Sequence, residues 1–410
     1  MRLIDELKER DLLFDTTDPK LGDVLEKEHL TFYLGTDPTG KSLHVGHLVT
    51  FLVAERLKRH GHKPIILVGG ATGLIGDPKE QGERKMLTEE VVNENLLSLK
   101  EQIKNIFGFT NIVNNYDWVS KINVIEFLRD YGKNFNVNNM INKETVKARL
   151  ETGISYTEFS YQILQSLDWL YLLTNYNCQL QIGGQDQWGN ITAGTDLIRK
   201  KLGFDKEVYG MTIPLILKSD GTKFGKSEGG KSVWLNPNMT SPYEFYQFWI
   251  NISDDEVEKR LKQFTFLSLE EIKEVIAKWS LNKEERLAQK VLAKEVTTFV
   301  HGKAKCEEAI NVSNALFSGD LSNLTASEIE MGFSDLDKVN GANKPLIDLV
   351  IEAKLASSKR EAREFINNGA ITLNGKKVND INHILTKAEA IENKYVLLRR
   401  GKKKYALVKL

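Results

Sequence analysis

Along the first half of the chain, short apolar runs alternate with stretches in which apolar positions recur every three or four residues. Ile65-Ile66-Leu67-Val68 is continuously apolar, the pattern of a parallel strand covered on both faces. Phe32-Tyr33-Leu34-Gly35 and Gln179-Leu180-Gln181-Ile182 are two further candidate strands. Each runs into a glycine-bearing turn: the segment Asp37 to His47, then Gly69-Gly70-Ala71-Thr72-Gly73-Leu74-Ile75-Gly76-Asp77-Pro78, then Gly183-Gly184-Gln185-Asp186-Gln187-Trp188-Gly189-Asn190. After the first turn a helix is expected to open near Leu48 and run through Phe51, Leu52 and Leu57. Strand, glycine turn and helix in repetition predict an α/β fold with a Rossmann-like, doubly wound parallel sheet, whose ligands sit at the carboxyl ends of the strands. All three glycine turns could then face one crevice.

Downstream the pattern changes. After Ser241-Pro242-Tyr243-Glu244-Phe245-Tyr246-Gln247-Phe248-Trp249-Ile250 the glycines thin out, and Glu/Lys-rich helical patterns run to about Leu324. From Gly341 a third pattern begins: Leu346, Leu349, Val350 and Ala353 share one helical face, and Ser358 with Glu361 reads as a helix start. Ala362, Phe365 and Ile366 form a second stripe ended by Gly369, and Asn374-Gly375 between Ala370-Ile371-Thr372-Leu373 and Lys376-Lys377-Val378 fits a type I′ hairpin. The expected organisation is a catalytic α/β domain over 1–212, a mobile linker over 213–240, an α-helical domain over 241–325 and a small α+β domain over 341–410.

A net charge of zero conceals an asymmetry, because residues 341–410 hold 15 Lys and Arg against 7 Asp and Glu. That basic surplus, which includes Arg399-Arg400-Gly401-Lys402-Lys403-Lys404, makes the last domain a candidate RNA-binding module whose affinity would come from phosphate neutralisation. Cys178 and Cys306 lack the paired spacing of a zinc site or a disulfide framework. With no signal-like apolar core at Met1 to Glu6 and no run long enough to cross a bilayer, a soluble cytoplasmic protein without a membrane partner is expected.

The chemistry concentrates in Asp37-Pro38-Thr39-Gly40-Lys41-Ser42-Leu43-His44-Val45-Gly46-His47, where a strand hands over to a helix. Free N–H groups at a helix start favour anions, and glycine lets a nucleotide lie close to the backbone. A second signal lies at Lys223-Phe224-Gly225-Lys226-Ser227. No P-loop or dinucleotide-binding glycine motif is evident, which argues against those classes. In this order the two segments resemble the paired signatures of class I aminoacyl-tRNA synthetases. Tyr33-Leu34-Gly35-Thr36-Asp37-Pro38-Thr39, the Gly183 to Asn190 turn and the Ser241 to Ile250 segment narrow the resemblance to tyrosyl-tRNA synthetases of the bacterial type, over essentially the whole chain. The tryptophanyl branch shares the fold, but the basic C-terminal module, similar to the S-four-like RNA-binding domain, and the Tyr33/Asp168 pairing fit the tyrosyl branch.

The resemblance implies a tyrosine pocket in which Asp77, Tyr161 and Gln165 receive the ammonium, Tyr33 and Asp168 receive the phenol, and Gln181 joins the lining. Tyr161, Gln165 and Asp168 are spaced to lie along one helix face. It also implies that Gly35, Asp37, His47, Gly183, Gly184, Asp186, Gln187 and Lys226 hold ATP. Thr39, His44, His47, Arg84, Lys223, Lys226 and Ser227 would serve the phosphates during adenylate formation. Magnesium would accompany ATP with no dedicated protein site, and no zinc is implied. Arg199 and Lys200, with Arg399, Arg400, Lys402 and Lys403, would contact tRNA, although a solvated charge cluster explains the Arg199 pair equally well. Partners are tRNA(Tyr), L-tyrosine, ATP and a second copy of the chain through the region 135–156.

Three departures from the family pattern stand out. Gly40-Lys41 occupies a place where the family commonly has Ala-Asp, and Phe224-Gly225 replaces Met-Ser. The run Lys79 to Arg84 is one residue shorter than usual. Two competing readings are a free-standing nucleotidyltransferase and an RNA-binding relative that has lost catalysis. The former would have no reason to carry the helical and basic domains, and retention of Tyr33, His44, His47, Asp168 and Lys226 speaks against the latter.

Overall fold

The computed structural model describes the whole chain apart from residues 80, 81, 83, 84, 219, 220, 223, 227–229, 319–322, 334, 335, 337, 342, 402 and 403, and the side chain of residue 144. It divides into two compact units, Met1–Asn236 with Ile252–Ala288, and Pro237–Asn251 with Gln289–Leu410.

The first unit is built on a six-stranded sheet of β1 (Asp15–Thr16), β2 (Thr31–Thr36), β3 (Lys63–Val68), β4 (Ile112–Asn114), β5 (Cys178–Gly184) and β6 (Tyr209–Ile213), in the spatial order β1-β6-β5-β2-β3-β4. The five strands β2 to β6 pair in parallel, and β1 caps the edge antiparallel to β6. Ile65, Ile66 and Val68 are fully buried, as a strand covered on both faces requires. From β2 the chain winds outward to β3 and β4, then returns to β5 on the other side of β2. That reversal leaves a crevice between β2 and β5, the place where open α/β sheets bind ligands.

The helix after β2 spans Val45–Arg59 and starts three residues before the expected Leu48. The cause is its cap: Nδ1 of His44 accepts from the backbone N–H of Gly46 (3.0 Å), and Nδ1 of His47 accepts from the N–H of His44 (3.2 Å). The two histidines thus satisfy donors that a helix end otherwise leaves open, and this secures the start against the pull of the polar segment before it.

In the second unit, helices Pro242–Ile250, Leu287–His301 (joined from Gln289), Lys303–Ser318 and Ala326–Gly332 precede a five-stranded sheet. Its strands are β7 (Lys338–Asn340), β8 (Ile371–Leu373), β9 (Lys376–Lys377), β10 (Tyr395–Arg400) and β11 (Lys404–Lys409), ordered β7-β11-β10-β8-β9. The two short helices anticipated from the apolar stripes are Leu346–Glu352 and Lys359–Asn367. Asn374 and Gly375 both hold positive φ, 47° and 84°, as the type I′ turn between β8 and β9 demands. The basic run around Arg400 forms more than a tail, because β10 and β11 pair over six residues around Gly401 and bury Val396, Leu397, Leu398, Ala406, Leu407 and Val408. Among the described residues no helix is long and apolar enough to cross a membrane.

Candidate active site

A cleft of about 630 Å³ opens over the carboxyl ends of β2 and β5. Its lining includes Gly35, Asp37 and Thr39 from the first glycine turn, Thr72 and Asp77 from the second, and Gly183, Gly184, Asp186 and Gln187 from the third. The three turns therefore do meet in one crevice. Asp37 stands among them, its two oxygens accepting from the Thr72 hydroxyl (2.7 Å) and the Tyr161 phenol (2.9 Å). A Cβ on Gly69 would lie 2.1 Å from the Thr72 hydroxyl and 2.3 Å from Asp37, so this contact needs a glycine at the end of β3.

One part of the lining is buried and polar. Tyr161, Gln165 and Asp168 project into the cleft from a single helix, Tyr156–Tyr176, as their spacing predicts. Asp168 is 2% exposed and accepts from Nδ2 of Asn115 (2.9 Å) and Nε1 of Trp118 (2.8 Å). Burial nonetheless outweighs these donors and pushes the carboxyl up to about 7. The Tyr33 phenol is pushed well above its ordinary value, by burial first and the Asp168 charge second. The Tyr33 hydroxyl and Oε1 of Gln181 are buried with no hydrogen-bond partner among the described residues, and both residues line the cleft. An unmet buried polar atom costs about 1–3 kcal/mol, so two in one cleft mark a place where a ligand completes the bonding.

The histidine part has a different character. His44 and His47 line the cleft with their rings stacked, centroids 3.8 Å apart. Burial lowers the pKa of His44, and burial followed by repulsion from His44 lowers that of His47 to about 3. Both rings are therefore neutral at pH 7, and since each Nδ1 accepts a backbone N–H, each carries its proton on Nε2. They offer two neutral donors, with no cationic acid between them. The second sequence signal adjoins them through the backbone: Val45 donates to the carbonyl of Val233 (2.9 Å), and Val233 donates to that of Gly225 (2.9 Å). Lys226 pairs with Ser232 in the same ladder; Ser232 lines the cleft, whereas the Lys226 side chain is exposed and outside the lining. Arg84, Lys223, Ser227, Lys402 and Lys403 lie outside the described residues.

The remaining predicted residues stand elsewhere. Arg199 and Lys200 end the helix Trp188–Leu202, outside the cleft lining, with Lys200 donating to the carbonyl of Asn134. Arg399 and Arg400 end β10 in the second unit, where Arg400 stacks over Phe365 (4.6 Å to the ring centroid) and donates to the carbonyl of Leu355. Lys41, the charge that departs from the family pattern, pairs with Glu94 at 3.1 Å on the exposed surface and does not line the cleft.

Several supporting contacts escaped sequence reasoning. Asn115 and Trp118 hold Asp168 from some 50 positions away, and Lys143 and Asn190 hold Asp77. Arg149, 3% exposed, pairs with Glu158 (3.0 Å) and donates to the carbonyl of Gly82 (2.7 Å). No motif flags such residues, because their partners are close only after folding. Among the described residues no group of three or more His, Cys, Asp or Glu could hold a metal ion.

Comparison with known proteins agrees with this geometry. Residues 25–318 match the family described as tRNA synthetases class I (W and Y), and residues 328–408 match the Tyrosine--tRNA ligase SYY-like C-terminal domain. The chain is 53% identical over 417 aligned positions to the tyrosine--tRNA ligase of Pediococcus pentosaceus and 50% identical over 419 to tyrosine--tRNA ligase 2 of Bacillus cereus, covering 100% of both chains in each case. Among solved structures, a C-terminally truncated mitochondrial tyrosyl-tRNA synthetase of Aspergillus nidulans superposes with a TM-score of 0.69 at 31% identity, covering 77% of this chain and 94% of that one. The chain belongs to the class I tRNA synthetases of the tryptophan and tyrosine group.

Proposed function

We infer that the protein is a tyrosine--tRNA ligase. It activates L-tyrosine with ATP to tyrosyl-adenylate and pyrophosphate, then passes the tyrosyl group to the 3′-terminal adenosine of tRNA(Tyr). The observation that carries the choice of amino acid is the unpartnered Tyr33 hydroxyl, buried close enough to Asp168 to feel its charge. A phenol entering there meets an acceptor in Asp168 and a hydroxyl in Tyr33, and an indole or a phenyl ring leaves at least one of them unmet.

In this reading Asp77, Tyr161 and Gln165 receive the substrate ammonium, Tyr33 and Asp168 the phenol, and Gln181 completes the pocket. Gly35, Asp37, Gly183, Gly184, Asp186 and Gln187 hold the adenosine moiety of ATP. The substrate carboxylate attacks the α-phosphorus, a step that asks for no protein nucleophile, only for correct placement and for donors aimed at shifting phosphate charge. Thr39 and the neutral Nε2–H groups of His44 and His47 serve on one side. Lys226, with Lys223, Ser227 and Arg84, would supply donors and positive charge from the other. Magnesium enters with ATP as part of that substrate, bound by phosphates and water.

Arg199, Lys200, Arg399, Arg400, Lys402 and Lys403 serve the tRNA backbone. The chain works in the cytoplasm as a homodimer through the region 135–156. Exposed Val137, Leu150 and Tyr156, with Val124, Ile125 and Leu128 just before them, support that surface. The test is amino-acid-dependent exchange of pyrophosphate into ATP: exchange is expected with tyrosine and not with tryptophan, and tryptophan-dependent exchange would overturn the assignment.

A further inference from the structure

Asp77 belongs to a polar cluster in which Lys143 and Asn190 have as yet no task. The Lys143 ammonium is 3.2 Å from Oδ1 of Asp77 and donates to Oδ1 of Asn190 at 2.8 Å. Nδ2 of Asn190 donates to Oε1 of Gln187 (3.0 Å), and Nε2 of Gln187 donates to Oδ2 of Asp77 (2.9 Å), which closes a ring of four side chains. Asp77 and Gln187 line the cleft; Lys143 and Asn190 do not. The lysine thus reaches the carboxylate from outside the cavity, with its side chain only 8% exposed. Its stem passes over Gly189, where a Cβ would come within 3.2 Å of the Lys143 Cγ, so the first turn of the helix Trp188–Leu202 leaves room for it.

A half-buried carboxylate that must accept a substrate cation has two requirements: a fixed rotamer, and a counter-charge that holds it in place between turnovers. Lys143 supplies both from the far side, and Asn190 holds Lys143. We propose that Lys143 is a positioning residue for the amino-acid site, aiming the Asp77 carboxylate at the substrate's ammonium. This rests on the reading of Asp77 as the ammonium acceptor. Lys143 touches no substrate in this account; it acts through Asp77.

The test uses the full chain with Lys143→Met, Lys143→Arg and Asp77→Asn, and equilibrium binding of three ligands: tyrosine, tyramine and 3-(4-hydroxyphenyl)propanoate, which lacks the ammonium. Lys143→Met is expected to weaken tyrosine and tyramine about tenfold, the scale of a hydrogen bond to a charged group, and to leave the deaminated acid unchanged. Lys143→Arg should recover part of that loss. Equal weakening of all three ligands would mean a structural brace only and would overturn the proposal, as would unchanged binding. Tighter tyrosine binding would overturn it too, because Lys143 would then be a competitor for Asp77. Asp77→Asn separates the two levels: if it leaves tyrosine and tyramine binding intact, the reading of the ammonium site has failed. If it weakens them while Lys143→Met does not, only the role of Lys143 has failed.

Discussion

Tyr33, Gln181 and Asp168 form one part of the cleft lining, each 3% exposed or less; His44 and His47 form another, partly exposed at the start of a helix. The first part is buried, carries two polar atoms without a partner among the described residues, and takes its shape from contacts spread over the sheet and the helix Tyr156–Tyr176. The second is local: its donors are set by hydrogen bonds within four consecutive residues, in which each ring's Nδ1 is matched before any ligand arrives and each Nε2–H is left to face one. The difference follows from the two tasks assigned to them. Choosing one amino acid by its hydroxyl requires polar groups that are costly to leave unmet, hence burial. Steadying a phosphate whose charge shifts during reaction requires donors already in place, hence a rigid helix start.

The largest effect is expected on the histidine part. His44→Ala should raise the barrier to adenylate formation by about 2.7–4 kcal/mol while tyrosine affinity stays near its original value, the split expected when only a transition-state donor is lost. Because His44 also caps its helix, the same change removes a cap contributing about 1 kcal/mol to stability. His44→Asn restores a capping side chain, so a rate deficit common to both variants belongs to chemistry and not to folding. Single-turnover adenylate formation checks this, and an unchanged rate would erase the contrast between the two parts of the cleft.

Tyr33→Phe tests the other part and should have a smaller effect. The ratio of tyrosine to phenylalanine activation is expected to fall by the equivalent of about 1–3 kcal/mol, with tyrosine affected more than phenylalanine. Because the hydroxyl has no partner among the described residues, its removal should not lower the thermal unfolding midpoint. A drop of several degrees would show that the hydroxyl is satisfied internally, and the argument from its burial would collapse.

The same division governs what could be read from the residues in order. The histidine motif, the three glycine turns, the single helix bearing Tyr161, Gln165 and Asp168, and the Asn374-Gly375 hairpin were all legible, since each is a short-range pattern tied to a backbone requirement. The helix starts three residues ahead of the expected position near Leu48 because histidine is not an ordinary capping residue, and its role here depends on two rings bonding to backbone N–H groups in turn. The pairing of β10 with β11 is absent from the expectations because the run from Arg399 to Lys404 speaks through its charge, as a candidate RNA-binding surface, and carries no turn signal as plain as Asn374-Gly375. Asn115, Trp118, Lys143 and Arg149 were out of reach for a stronger reason: each acts on a side chain or loop that is distant in sequence, and no spacing rule spans such a gap.

The smallest expected effect concerns how those supporting donors tune Asp168. Burial raises its carboxyl to about 7, while Asn115 and Trp118 favour the ionised form and hold the value down. If the ionised carboxylate is what accepts the substrate phenol, tyrosine affinity should fall as pH drops below about 7. Trp118→Phe removes one donor and keeps most of the stacking on Tyr171, whose ring centroid lies 4.3 Å away. With that donor gone the carboxyl titrates at higher pH, so the loss of affinity should begin at higher pH, while affinity well above both values changes little. The stability sign runs the opposite way: a carboxyl raised above its unfolded value favours the folded chain below about pH 4, and that contribution is lost as pH rises through about 7. Trp118→Phe should extend the loss to higher pH. Tyrosine binding and thermal unfolding followed together from pH 5 to 9 measure both, and a downward shift of the binding midpoint in the variant would show that Trp118 opposes ionisation of Asp168.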